Sequence, residues 1–274
     1  PGRLPEPDQS SHVRLHQVCH LLHDLVRWKG QLTTSRLHAR LLNQLPLHVE
    51  DRRDSLLVAE LDRLQQVLVG DFCSTNLDHV DAIGVAVDVA VSAQVDAMVE
   101  STATHFQQLD ILVNNAGIAP VVRWSEVTEA NWRRVLDINL NGAFLCMLAV
   151  MPIMQKQQAG CIVNVSSAGA FVGSVCAHPA YGVSKAGMIA MTKSAAKEFA
   201  ADGLRVNAIA PGSIDTPLTD SFGEVQKEEF RQAAPLKRQG SPREIADAVW
   251  YLVSDRSTYV TGATLHVNGG SLLI

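Results

Sequence analysis

This chain of 274 residues has no Gly-x-Gly anywhere, and its first 80 residues hold glycine only at positions 2, 30 and 70. That excludes from the N-terminal part the glycine-rich turn through which a backbone reaches a phosphate. Cysteine is scarce and scattered, with five residues at 19, 73, 146, 161 and 176 and no Cys-x-x-Cys pair. This argues against a disulfide framework or a zinc site and suits reduced thiols in a cytoplasm. Basic excess is also missing. A net charge of −5 and a pI near 6.1 leave no electrostatic footprint for nucleic acid. No apolar run approaches the roughly 20 residues of a bilayer span, and the opening residues lack the order of a secretory signal. No membrane partner is therefore expected. What is present is an ordinary globular composition, 47% apolar and 19% charged, enough for one large domain or two small ones.

The chain reads as two parts. From about residue 81 short apolar runs alternate with helical spacing. Strands are predicted at Ala82–Asp88, Asp110–Asn114, Cys161–Val165, Leu204–Ile209 and Ala263–Val267. Helices are predicted at Val91–Gln107, Glu126–Gln155, Tyr181–Ala201 and Pro242–Val253. Pro152 is expected to end or kink the second of these, and Ser241 to cap the last. Such alternation predicts an α/β fold with a parallel sheet covered on both faces. Residues 1–80 differ. They carry seven of the ten histidines and many Leu and Arg residues. Helical apolar spacing covers His12–Val26, Thr33–Leu45 and Asp54–Val69, and Val67–Val69 is the one modest strand candidate.

Chemistry concentrates in the second part. Tyr181 and Lys185 are four apart on a predicted helix and share a face. A neighbouring ammonium favours the phenolate and moves a tyrosine toward working range, although such a pair also occurs as a plain surface contact. Ser167 ends a predicted strand, where its hydroxyl serves either a turn or the substrate oxygen that Tyr181 protonates. Asn139 lies inside an apolar helix, as a buried amide or as an irregularity holding a water that leads to Lys185. Asn114-Asn115-Ala116-Gly117 and Pro211-Gly212 with Thr216 follow strands at the carboxyl edge, where ligands sit in open α/β sheets. Asp88, at the end of another run, is either a ligand for an adenine amino group or a loop carboxylate.

In order and spacing these elements resemble the classical short-chain dehydrogenase/reductase family over roughly residues 81–274. The match includes Asn114-Asn-Ala-Gly117, Asp137-Ile-Asn-Leu-Asn-Gly142, Ile162-Val-Asn-Val-Ser-Ser167, Tyr181-Gly-Val-Ser-Lys185 and Arg205-Val-Asn-Ala-Ile-Ala-Pro-Gly212. The tail from Thr261-Gly262 to Val267-Asn-Gly-Gly270 fits as well. The resemblance implies a Rossmann-like doubly wound parallel sheet and hydride transfer between NAD or NADP and an alcohol or ketone, with no metal. By the same resemblance Asn139, Ser167, Tyr181 and Lys185 form a catalytic tetrad. Asp88, Asn115, Ala116, Gly117, Tyr181, Lys185, Pro211, Gly212, Ile214 and Thr216 bind cofactor. A cytoplasmic homodimer or homotetramer, joined through the two long helices, is also implied. Leu218, Phe222, Val225 and Phe230 would form an apolar substrate lid.

The chain departs from the family at its start. Counting back from Asn114 puts the family's glycine-rich turn near residue 40, where Leu37-His-Ala-Arg-Leu-Leu-Asn-Gln-Leu-Pro46 has no glycine. No residue that separates NAD from NADP is assignable. The first βαβ unit is therefore expected to be atypical or missing, with residues 1–80 mostly helical or poorly ordered and residues 81–274 the family domain. Two other readings stay open: a remnant or mis-assigned N-terminus that cannot hold cofactor, and a non-catalytic protein whose leucine-rich helices bind a partner.

Overall fold

The computed structural model describes residues 56–59, 83–174, 176–220 and 222–274. The expected helices at His12–Val26 and Thr33–Leu45 and the strand candidate Val67–Val69 lie outside them. Within the described residues the strands are β1 (Leu56–Ala59), β2 (Ile111–Asn114), β3 (Gly160–Val165), β4 (Leu204–Pro211) and β5 (Thr264–Val267). The helices are α1 (Ser92–Phe106), α2 (Glu129–Leu136), α3 (Gly142–Gln157), α4 (Gly169–Val172), α5 (Pro179–Phe199), α6 (Pro217–Asp220), α7 (Glu224–Ala233) and α8 (Pro242–Val253). All five strands are parallel, in the order β1-β2-β3-β4-β5. Their carboxyl ends therefore share one edge, at Ala59, Asn114, Val165, Pro211 and Val267.

Helices cover both faces. On one, Leu112, Ile162 and Val206 pack with Val95 and Val99 of α1, Met147 and Met154 of α3, and Ala195 and Ala196 of α5. On the other, Val113, Val163 and Ile209 pack with Ile245, Val249 and Leu252 of α8. The alternation Leu112/Val113 and Ile162/Val163 follows from the two-residue period of a strand. In α1 the buried residues are Val95, Met98, Val99 and Thr102, one helical stripe. Ser241 caps α8 in a capping box with Glu244, as its position in the sequence predicts.

Three local expectations are corrected. Ile83–Asp88 forms no strand: it pairs with none of the five described strands. Leu56–Ala59 is a strand within a stretch that reads as helix. Four consecutive apolar residues fit either period, and the backbone edge of β2 decides, pairing Leu56 with Ile111 and Ala59 with Asn114. Of the two outcomes expected at Pro152, an end or a kink, the end does not occur, since α3 runs to Gln157. The carbonyl that loses its partner belongs to Leu148, on a face 56% exposed, where solvent can take its place.

The segment joining α2 to α3 is a π-helical turn, Asp137–Asn141. The whole stretch Glu129–Gln157 is long and apolar enough, by length and composition, to cross a membrane. No unbroken apolar run announces it. Its apolar face, with Cys146, Met147, Val150 and Met154, lies in the core beside the sheet.

Candidate active site

The carboxyl edge of the sheet gathers the chemistry. Pro179 opens α5 at the position where a missing N–H is harmless. One turn later α5 presents Tyr181 and Lys185. Ser166 and Ser167 leave β3 at the same edge, and the Ser166 hydroxyl donates to the Lys185 carbonyl at 2.8 Å. This bond locks the strand end to the helix. Tyr181 and Ser167 are joined by a side-chain hydrogen bond. Lys185 is 4% exposed. Its Nζ donates to the Val165 carbonyl at 2.7 Å and stands 5.9 Å from the centre of the Tyr181 ring.

The electrostatics differ from the simple expectation that Lys185 depresses the phenol. Burial pushes the Tyr181 hydroxyl above its ordinary value, and the Ser167 hydrogen bond offsets part of that rise. The ammonium is committed to the Val165 carbonyl and lies over the ring face, away from the direct role imagined for it. Burial brings Lys185 itself down to about 8, close to neutrality.

Asn139 sits in the π turn, fully buried. Its Oδ1 accepts from the Ile118 N–H and its Nδ2 donates to the Ile118 carbonyl, both at 2.8 Å. The Nδ2 group also reaches the Ser184 hydroxyl at 3.3 Å. The side chain thus staples the loop after β2 to α5. A π turn inside a helix is a common mark of a functional position. Ser184, inside the Tyr181–Lys185 stretch, was not singled out by sequence. Nor was His178, whose imidazole caps α5. The signal for it was a side-chain acceptor directly before a proline that opens a helix.

Asn115, Ala116 and Gly117 form the loop leaving β2. A Cβ at Gly117 would stand 3.4 Å from both Asn139 Oδ1 and Lys185 Nζ, so the glycine keeps open the space over the lysine. Gly212 follows Pro211, and a Cβ there would meet the Asn268 backbone at 2.8 Å. Ile214 pairs with Gly240 in an isolated bridge, and Thr216 begins a turn held by the Thr219 hydroxyl. Asp88 has partners of its own. One oxygen accepts from the Ala90 N–H at 3.0 Å, and the other pairs with Arg134 at 3.5 Å. In the segment expected to form a substrate lid, Phe222 and Phe230 meet edge to face and Val225 is 75% exposed.

The nicotinamide-ribose half of a dinucleotide fits these residues, through the open space at Gly117 beside Lys185. For the pyrophosphate half, the sequence holds no glycine-rich turn. The pairing of β1 with β2 puts the family's first-strand position at Leu56–Ala59, so its turn would follow Ala59 and not fall near residue 40. The sequence on from there, Glu60-Leu61-Asp62-Arg63-Leu64, has no glycine before Gly70.

The sequence model of the family described as enoyl-(acyl carrier protein) reductase matches residues 63–271. The chain belongs to the short-chain dehydrogenase/reductase family. It is an oxidoreductase by that membership. Among its relatives is the 3-oxoacyl-(acyl-carrier-protein) reductase FabG of Staphylococcus aureus, 41% identical over 70% of this chain and 77% of the relative. The FabG of Thermotoga maritima is 38% identical over 76% of this chain and 87% of the relative. The corresponding reductase of Synechocystis is 39% identical over 70% and 77%.

Proposed function

We propose that this chain reduces a ketone, of the 3-oxoacyl class handled by its relatives, with a nicotinamide cofactor and the tetrad Asn139, Ser167, Tyr181 and Lys185. The observation carrying this reading is the convergence of Tyr181, Ser167 and Lys185 at one sheet edge beside the space kept by Gly117. A bound reduced nicotinamide supplies the hydride. Asn115, Ala116 and Gly117 would line its ribose, Pro211, Gly212, Ile214 and Thr216 its carboxamide side, and Asp88 its adenine. Ser167 would orient the carbonyl oxygen, and Tyr181, a phenol at neutral pH, would give it a proton. Lys185, near pH neutrality at about 8, suits a relay that returns the proton to Tyr181. The π turn at Asn139 would hold the water at the far end of that relay.

The relatives' names favour a 3-oxoacyl group carried on acyl carrier protein as the substrate class, while NAD or NADP as cofactor and a cytoplasm as the site of work come from the family resemblance. Exposed apolar residues on the two long helices, Phe144, Leu148 and Val183, support assembly into a dimer or tetramer through them. We also propose that residues 81–274 carry the regular part of the family domain, after an atypical N-terminal segment that contributes β1.

A second reading is favoured by one observation, the absence of any Gly-x-Gly. On it, the chain keeps the catalytic half of the site but holds cofactor weakly. Titration with NADPH and NADH, followed by nicotinamide fluorescence, separates the two. Saturable micromolar binding with turnover of ethyl acetoacetate, reduced about 10²-fold or more in Tyr181→Phe, supports the first. A folded chain that binds neither cofactor supports the second.

A further inference from the structure

His178 is fully buried, three residues before Tyr181. It touches three separate segments. Its Nδ1 accepts the Ala180 N–H at 3.0 Å, which caps α5. Its Nε2 lies 2.9 Å from Asn131 Oδ1 on α2. Its backbone N–H donates to the Pro120 carbonyl at 2.8 Å, and its own carbonyl accepts from the Tyr181 N–H at 2.8 Å. Pro120 lies on the loop that Asn139 holds through Ile118. One residue therefore fixes the start of the Tyr181 helix against both α2 and that loop.

The hydrogen bonds also fix the proton. A backbone N–H can only donate, so Nδ1 is bare and the single ring proton is on Nε2, donated to Asn131. A second proton on Nδ1 would face the Ala180 N–H and place a cation at the positive end of α5. Among the described residues no carboxylate pairs with the His178 ring. Residues 115–122 carry no charge, the Glu126 carboxylate beyond them accepts from the Arg123 N–H, and α2 presents Asn131 and Trp132, with the Trp132 ring 6.2 Å away. Glu129 and Arg133 of α2 pair with each other at the surface. On its own strand of chain, Cys176 keeps its proton, held up by burial and by Glu229. Tyr181 is a phenol, and Lys185 faces Val165.

We propose that His178 is a positioning residue whose neutral imidazole holds Tyr181 and Lys185 in register with the 115–120 loop, and whose protonation releases that register. The proposal rests on the reading that Tyr181 and Lys185 do the chemistry. Burial holds the imidazole below its ordinary value, so the register is intact at neutral pH and lost on acidification. The folded state then binds fewer protons than the unfolded one. Its stability contribution is complete above about pH 6.5 and falls away as pH drops through the folded value.

The test compares the full-length chain with His178→Ala, His178→Asn and Tyr181→Phe, using NADPH and ethyl acetoacetate as probes. Asparagine can accept the Ala180 N–H but does not titrate. At pH 7.5 His178→Ala should lose tenfold or more in kcat, with KM for NADPH changed less than threefold, and His178→Asn should recover most of it. Between pH 7.5 and 5.5 the wild type should lose at least threefold more kcat than His178→Asn. Identical pH profiles, or a His178→Asn variant as slow as His178→Ala, would overturn the proposal. Urea unfolding over the same pH range reads the switch without turnover. The wild type should lose stability on acidification beyond His178→Asn, and equal losses would also overturn it. If Tyr181→Phe is as active as wild type, the catalytic reading falls instead, and the unfolding comparison still decides the role of His178.

Discussion

Lys185 Nζ donates to the carbonyl of Val165 at 2.7 Å, two residues before Ser167. The lysine therefore ties the helix of Tyr181 to the end of the strand that leads into Ser167, at the price of a buried charge. Its fall from 10.5 to about 8 corresponds to roughly 3 kcal/mol of unfavourable burial at neutral pH. Replacing it by methionine removes that penalty but leaves the Val165 carbonyl without its donor, a loss of about 1–3 kcal/mol. The two nearly cancel. Lys185→Met should unfold in urea within ~1 kcal/mol of wild type, while turnover drops about 10²-fold or more. A destabilisation above ~3 kcal/mol would show that the ammonium is a net stabiliser of the fold.

The same group sets a pH limit on the proposed reduction. Proton return needs Lys185 charged, and its value near 8 means the ammonium is lost as pH rises through that point. Tyr181 stays protonated well beyond it, because burial raises the phenol. The kcat/KM for ketone reduction should therefore be flat below about 8 on this limb and fall tenfold per unit above it. A profile that stays level to pH 10 would remove Lys185 from the proton path.

Asn139 bonds both backbone groups of Ile118. Asn139→Ala would leave that N–H and carbonyl without partners in a part-buried site, at a cost of about 2–4 kcal/mol for the two groups. Loss of the staple should also loosen the loop that carries Gly117, so cofactor affinity should fall together with stability. Asn139→Asp keeps the acceptor for the Ile118 N–H but sets a carboxylate against its carbonyl. It should recover less than half of the lost stability. Unchanged stability in Asn139→Ala would mean that the loop is held elsewhere.

The site was legible only as a set. Tyr181, Lys185, Ser167 and Asn139 each fit an ordinary structural role when taken alone, and only their joint order and spacing, through the family resemblance, marked them as a candidate site. The sheet from Asp110 onward was legible because its runs alternate with helices. The β1 strand was not, since Leu56-Leu57-Val58-Ala59 satisfies a helical stripe as well as a strand, and only the backbone edge of β2 chooses between them. Asp88 had two readings at the end of its apolar run; its bonds to the Ala90 N–H and Arg134 fit the loop carboxylate, and the adenine role rests on the family resemblance alone. His178 and Ser184 act through hydrogen bonds to segments distant in sequence, and no spacing rule announces such partners.

Arg205 offers a last prediction, at the other end of the sheet. From the start of β4 its guanidinium donates to the carbonyls of Leu252 at 2.7 Å, Ser257 at 3.1 Å and Ser254 at 3.3 Å. It also reaches the Ser257 hydroxyl at 2.9 Å and Cys161 Sγ at 3.0 Å. These carbonyls lie at and after the end of α8, where helix carbonyls lack partners of their own. A lysine ammonium has three donors on one atom and cannot span that fork. Arg205→Lys should therefore cost about 2 kcal/mol, a fall of roughly 4–8 °C in Tm for a domain of this size. Because Arg205 and Tyr181 lie at opposite edges of the sheet, kcat at 25 °C should not change. A Tm within 1 °C of wild type would show that the carbonyls after α8 are satisfied without the fork, and a loss of kcat at full stability would couple the two edges.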